Sequence, residues 1–191
     1  MIKRPLVLKQ TDRMAPVAGP LVEDVSARAL VDGQWIPVSG ITDGLGLRQH
    51  DADPLLEHDT DPNHMWVAPE GAKLEAIEFD LGTEVSLDLM LVWNYNEPNI
   101  LGCGLRQARI SVWTQQTGWQ VVSPSFEFDI AEGTDDYDVP REFRFNGVRA
   151  SKVRLDSLMN IDLGDRIGIA EVQFYKGKPE NGLQAQFGRS T

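Results

Sequence analysis

The chain has 191 residues, 41% hydrophobic and 25% charged, which is the size and composition of a single globular domain. At this length roughly 70% of the unfolded surface can be buried, so neither a disulfide nor a metal is needed merely to fold. A net charge of −11 argues against nucleic acid and anionic membrane as partners, since both require a positive surface; it leaves neutral partners such as sugars open.

The opening "MIKRPLVLKQTDRMAPVAGP" has basic residues but no apolar run long enough for a signal peptide. That leaves two alternatives, a protein that stays inside the cell or a chain that begins after a removed leader. No stretch approaches the ~18 apolar residues of a membrane span, so membrane insertion is not expected. Cys103 is the single cysteine, which rules out an intrachain disulfide.

From there the dominant period is two. In "ALVDGQWIPV", Asp32–Gly33 between two short apolar runs is a two-residue hairpin signal. "EAIEFDLG" sets Ile77, Phe79 and Leu81 against Glu78 and Asp80. "VSLDLMLVWNYN" places Val85, Leu87, Leu89, Leu91, Trp93 and Tyr95 on one face, with Met90 and Val92 making its middle apolar on both sides, as in a central strand. "QARISVW" and "TGWQVV" follow, separated by a Thr117–Gly118 turn signal. "SFEFDI" aligns Phe126, Phe128 and Ile130; "REFRFNG" aligns Phe143 and Phe145; "SKVRLDSL" aligns Val153 and Leu155; "IAEVQFY" aligns Val172 and Phe174. About eight or nine short strands with no helical stripe predict an all-β, antiparallel jelly-roll β-sandwich. Residues 1–24 read as an N-terminal extension, 25–176 as the domain and 177–191 as a tail without periodicity.

One polar stretch interrupts the strands. "HDADPLLEHDTDPNHMW", His50 to Trp66, holds all three histidines. A metal-dependent hydrolase would need His50, Asp51, His58 and Asp59 to converge on one metal; Pro54 and Pro62 oppose a helix that could align them, and no zinc-type spacing occurs. Asp59, Asp61, Asn63 and Glu70 fit an EF-hand spacing in part, but His64 stands where that loop requires glycine. The plain alternative is an acidic loop that caps its own backbone amides.

"DTDPNHMW" (Asp59–Trp66) resembles the D-x-D-P-x-T-x-W stretch of coagulation-factor type C, or discoidin, modules, which are galactose-binding-like jelly rolls that include many bacterial carbohydrate-binding modules. "AIEFDLGTEVSLDLMLVWNYNE", "LRQARISVWTQQTGWQVV", "FNGVRASKVRLDS" and "GIAEVQFY" resemble later stretches of that family in the same order, over roughly residues 25–176. The resemblance implies a non-catalytic binding module for a glycan or glycoconjugate, tethered to or associated with another protein and working outside the cell or at its surface. It implies a structural calcium ion held by Asp59, Asp61 and Glu171. His64 replaces the family's threonine, and imidazole is a poor calcium ligand, so His64 is not counted among the ligands. It also places ligand binding in loops at one end of the sandwich, where His50, Asp53, His58, Asn94, Asn96, Glu97 and Asn99 are the candidates. Trp66 and Trp93 match buried positions; Trp35, Trp113 and Trp119 stay open, as does a protein-binding or structural role on the same fold.

Overall fold

The computed structural model describes residues 19–49, 56–162, 164 and 166–177. Its ten strands are β1 (Ser26–Val31), β2 (Gln34–Val38), β3 (Leu47–Gln49), β4 (Leu56–His58), β5 (Trp66–Val67), β6 (Leu74–Asn94), β7 (Leu105–Thr114), β8 (Gly118–Glu127), β9 (Arg141–Asn160) and β10 (Gly168–Lys176). Every pairing between them is antiparallel. The main sheet runs β2-β1-β6-β9-β7-β8, with β10 joined to β6 and β5 to β10; β3 and β4 form a separate ribbon. The all-β sandwich expected from the period-two patterning is what the chain builds.

Two long strands make the sandwich. The first part of β6 (Ala76–Asp80) pairs with β1 and with Lys152–Asp156 of β9, while its second part (Val85–Val92) pairs with β10 and with Arg141–Ala150. Register breaks between Asp80 and Val85, beside Gly82 at φ 74°; β9 bends at Asn146 and Gly147, at φ 55° and 82°. Segments that read as four strands in the sequence are thus two strands that cross from one layer to the other. The layers meet through Phe79 of β6 and Phe174 of β10, both fully buried, with ring centroids 5.2 Å apart in an edge-on arrangement.

The face assignment of the central strand needs correction. Leu87, Met90 and Val92 enter the main core, whereas Leu89, Leu91, Trp93 and Tyr95 enter a second, smaller core with Met65, Ala131, Tyr137 and Ala170. The cause is a bulge between Leu87 and Leu89, because one extra residue inverts the alternation of everything beyond it. Ile130, expected in line with Phe126 and Phe128, lies past the end of β8 and is exposed.

At the hairpin, Val31 pairs with Gln34, and Asp32 (φ 48°) and Gly33 (φ 77°) turn as the Asp–Gly signal predicts. Leu21 and Val22, on the extension side of the expected boundary, belong to the sandwich: Leu21 bridges Tyr175, and Val22 is buried and donates to Phe174 O. Lys176 N donates to Pro20 O at 2.9 Å and Gly177 N to Ser86 O at 2.8 Å, so the two described ends lie side by side. Phe79→Ala should cost about 3–5 kcal/mol in urea unfolding, because it opens a cavity at a fully buried edge-on aromatic contact between layers.

Candidate functional site

His50, Asp51 and Asp53 lie outside the described residues. His58 closes the β3–β4 ribbon and is fully buried. Its backbone N–H donates to Tyr137 O, its Nδ1 lies 2.9 Å from Asp59 O, and its Nε2 has no partner. Burial holds its pKa below the usual histidine value. It is a neutral packing residue, not a side chain presented to a ligand.

Asp59 and Asp61 organise the turn that follows. Asp59 Oδ1 accepts from Asp61 N at 3.1 Å, and its Oδ2 lies 2.8 Å from His64 Nδ1. That hydrogen bond raises the His64 pKa. Asp61 caps the 3-10 turn Pro62–His64 by accepting from Asn63 N at 2.9 Å and Nδ2 at 2.7 Å, which lowers its own pKa. The loop therefore satisfies its acids with its own amides and an imidazole, as a self-capping loop does.

Glu171 meets the other end of the Asp43–Gly46 loop, whose Gly46 O accepts from Asp59 N. It is 1% exposed, accepts from Gly44 N at 3.3 Å, and has an Oε2 with no partner. Burial, with the charge of Asp43 added, pushes its pKa up to about 8. Among the described residues no three His, Cys, Asp or Glu side chains gather to hold a metal ion, so the expected ligand set Asp59, Asp61 and Glu171 does not form. The physical reason is that the first two acids are already hydrogen-bonded within their own loop. The acid set against Glu171 is Asp43, in a cleft of about 360 Å³ also lined by Thr42, Gly44, Glu23 and Asp24.

At the end of β6 two asparagines act as clamps. Asn94 Nδ2 donates to Leu105 O and Asp129 O, and its Oδ1 accepts from Tyr95 N and Leu105 N. Asn96 Nδ2 donates to His58 O, Asp59 O and Thr134 O, and its Oδ1 accepts from Gly133 N. Both are buried, and reaching a ligand would mean surrendering bonds that tie three loops together. Glu97 and Asn99, by contrast, reach the surface. Glu97 accepts from the Tyr95 hydroxyl, and Asn99 turns the chain at φ 72°.

The loop between β9 and β10 adds groups that sequence patterning missed. Asp162 N donates to Gly102 O, and the Asp162 carboxylate lies against the Gly102 α-carbon, where a Cβ would meet it at 1.4 Å. Arg166 Nε donates to Ala68 O at 3.3 Å. Burial raises the Cys103 thiol pKa, Arg166 opposes that, and Asp162 and Glu97 add to it, so all four groups are within electrostatic reach of one another. A raised pKa leaves Cys103 a thiol at neutral pH, an inert packing group. The only local hint was the charged "GDRIG" immediately before the closing strand. Glu97, Asp162 and Arg166 thus form a polar, solvent-reaching set around Cys103 on preformed loops, and Asn99 is exposed on the same loop as Glu97.

No family model matches this sequence, and no curated protein does. Solved structures do match its fold. A family 32 carbohydrate-binding module from Clostridium perfringens NanJ, in complex with galactose, superposes with a TM-score of 0.56 at 14% identity, covering 81% of this chain and 96% of that one. A two-domain protein of unknown function from Bacteroides fragilis gives 0.53 at 15% identity, covering 81% of this chain and 42% of that one. An F5/8 type C domain, also from Bacteroides fragilis, is 19% identical over 63% of this chain and 78% of its own, with a TM-score of 0.48. The chain has the discoidin, galactose-binding-like sandwich fold.

Two outcomes follow from the buried groups. Asn94→Ala should lower stability by about 2–4 kcal/mol in chemical unfolding, since it strands the buried Leu105 and Tyr95 amides. Glu171 should take up a proton on folding, because burial lifts its pKa to about 8 from the ordinary glutamate value of 4.5. Metal-free stability should therefore be full below pH 4.5 and decline as pH rises to about 8, on this group's account. In Glu171→Gln that part of the decline in thermal midpoint should vanish.

Proposed function

We propose that the protein is a non-catalytic carbohydrate-binding module that reads a glycan with the loops around Glu97, Asn99, Asp162 and Arg166. The observation that carries this reading is that Glu97, Asp162 and Arg166 gather around Cys103 and reach solvent, with Asn99 exposed on the Glu97 loop, while Asn94 and Asn96 fix the loops beneath them. Planar carboxylate, amide and guanidinium groups suit sugar hydroxyls, and a preformed site spends little on ordering itself. The galactose complex of a module with this fold, matched over nearly its whole length, supports a galactose-containing glycan as the first ligand to test.

The fold also occurs as one part of the two-domain Bacteroides fragilis protein. That supports a role as a tethered unit, raising the local concentration of whatever it is attached to.

We further propose a structural calcium ion with a ligand set centred on Glu171 and Asp43 instead of Asp59 and Asp61. The orphaned, buried Glu171 Oε2 supports it, and calcium takes carboxylate and carbonyl oxygens readily. Calcium would supply the positive charge that lets Glu171 ionise inside the fold.

Calorimetric titration with galacto-oligosaccharides should show binding that falls about tenfold or more in Arg166→Ala and in Glu97→Ala, the loss expected for a hydrogen bond to a charged group. No response across a broad glycan array, with and without calcium, would overturn the reading in favour of a protein-binding domain. For the metal, the thermal midpoint should rise with calcium and fall back with chelator, since an ion bound to the folded state stabilises it by mass action. Asp43→Ala should abolish that shift, and Asp59→Ala should leave it in place.

A further inference from the structure

A second surface lies on the outer face of the main sheet, away from the loops just described. Cross-strand register sets Pro37, Arg28, Glu78, Arg154, Ser111 and Val121 in one row from β2 to β8. Among the described residues no element packs over it: Trp35, Pro37, Arg28, Arg109 and Val121 are all exposed.

The face is built around one buried carboxylate. Glu78 is 2% exposed; its Oε1 accepts from Arg28 Nε at 3.1 Å, and its Oε2 accepts from Arg154 Nε at 3.2 Å and Nη2 at 2.7 Å. Burial pulls the Glu78 pKa up, but the bonds from Arg154 and Arg28 outweigh it and hold it below the usual value. Glu78 therefore stays ionised and pins both guanidiniums down. Arg28 lies over Trp35 at 4.5 Å from the ring centroid. Arg154 lies over Trp119 at 3.9 Å and within 5.7 Å of Trp35. Two indoles thus flank the same guanidinium, in a plane held by cation–π contacts.

The charges are sorted by depth except at Asp80, whose side chain is 44% exposed beside Lys152. Side chains of Arg28 and Arg109 are 46% and 44% exposed, while their partners Glu78 and Asp156 are 2% and 16% exposed. A ligand arriving at this face meets cationic edges and indole rings, on a chain whose overall charge is −11. Guanidinium recognises carboxylate with paired hydrogen bonds, and an indole packs against the apolar face of a pyranose.

We propose that this face binds an acidic oligosaccharide, a chain of uronate-bearing sugars lying across β2, β1, β6 and β9 between Trp35 and Trp119. The proposal does not depend on the loop site: its ligand is charged, its contacts are on strands, and occupying one surface leaves the other free.

The test uses the full chain and three probes: an oligogalacturonate, a neutral galacto-oligosaccharide of equal length, and an oligoglutamate peptide. Titration is followed by tryptophan fluorescence and affinity electrophoresis. The oligogalacturonate should bind at low salt, weaken strongly at about 0.5 M salt, and bind about fivefold or more weaker in Trp35→Ala and in Arg109→Gln. Excess free galactose should not displace it. Far-UV circular dichroism and the urea-unfolding midpoint of both variants should stay close to the parent's, so that lost binding reports the surface and not the fold. The proposal is overturned if the oligogalacturonate does not bind, if neither variant weakens it, if galactose displaces it, or if the oligoglutamate peptide binds equally well.

Discussion

Everything in this molecule depends on β6 serving two layers at once. A strand of ordinary length has one buried face and one partner sheet. β6 gives Ile77 and Phe79 to the core from one layer, crosses at Gly82, and gives Leu87, Met90 and Val92 to the same core from the other. β9 makes the matching crossing at Asn146–Gly147, so the two strands stay hydrogen-bonded on both sides of the bend. The bend needs residues that tolerate positive φ, which glycine and asparagine do at little cost. Because the layers are continuous chain, their spacing is set by covalent connection as well as by the packing of Phe79 on Phe174.

The same strand carries consequences to its end. Its bulge after Leu87 sends Leu89, Leu91, Trp93 and Tyr95 to the opposite side, where they need a cover. The segment 128–140 supplies it, with Ala131 and Tyr137 packed into that second core. Asn94 and Asn96 then bind this cover to the strand through hydrogen bonds to Asp129 O, Thr134 O and Gly133 N. The loops that reach solvent at Glu97 and Arg166 rest on this arrangement. Their order is a product of buried polar pairing, which is costly when incomplete and therefore highly specific when complete.

The legible parts of the sequence were those governed by local alternation and turn chemistry. The period of two along "EAIEFD" and the Asp32–Gly33 turn carry their structure within a few residues. The bulge was not legible, because Leu89, Leu91, Trp93 and Tyr95 alternate perfectly on paper; only the pairing with β9 shows which face they took. Asn94 and Asn96 read as ligand-binding groups because polar residues at a strand end usually face water. Apart from the adjacent Tyr95 amide, their acceptors and donors come from residues 11 to 38 positions away, and no local pattern records that. Glu171 was identified as an acid with a loop partner, yet its loop is Asp43–Gly44, 127 residues distant from it at the Gly44 bond. The motif around Asp59 drew the eye by its acids, which in the fold spend themselves on their own turn.

The neighbouring ends of the described chain give the protein a handle. Residues 19 and 177 sit together beside Ser86, where the second part of β6 begins its run to Asn94. At a rise of about 3.3 Å per residue, that length of strand separates them from Asn94 by about 26 Å. The chain enters the described domain at residue 19 and leaves it at residue 177 at neighbouring points, with the Glu97 loops at the opposite end of this part of β6. A unit with this layout can be spliced into a surface turn of another protein as easily as it can be joined to an end, because its host need only part by the width of two strands. In either position the loop end faces away from the host.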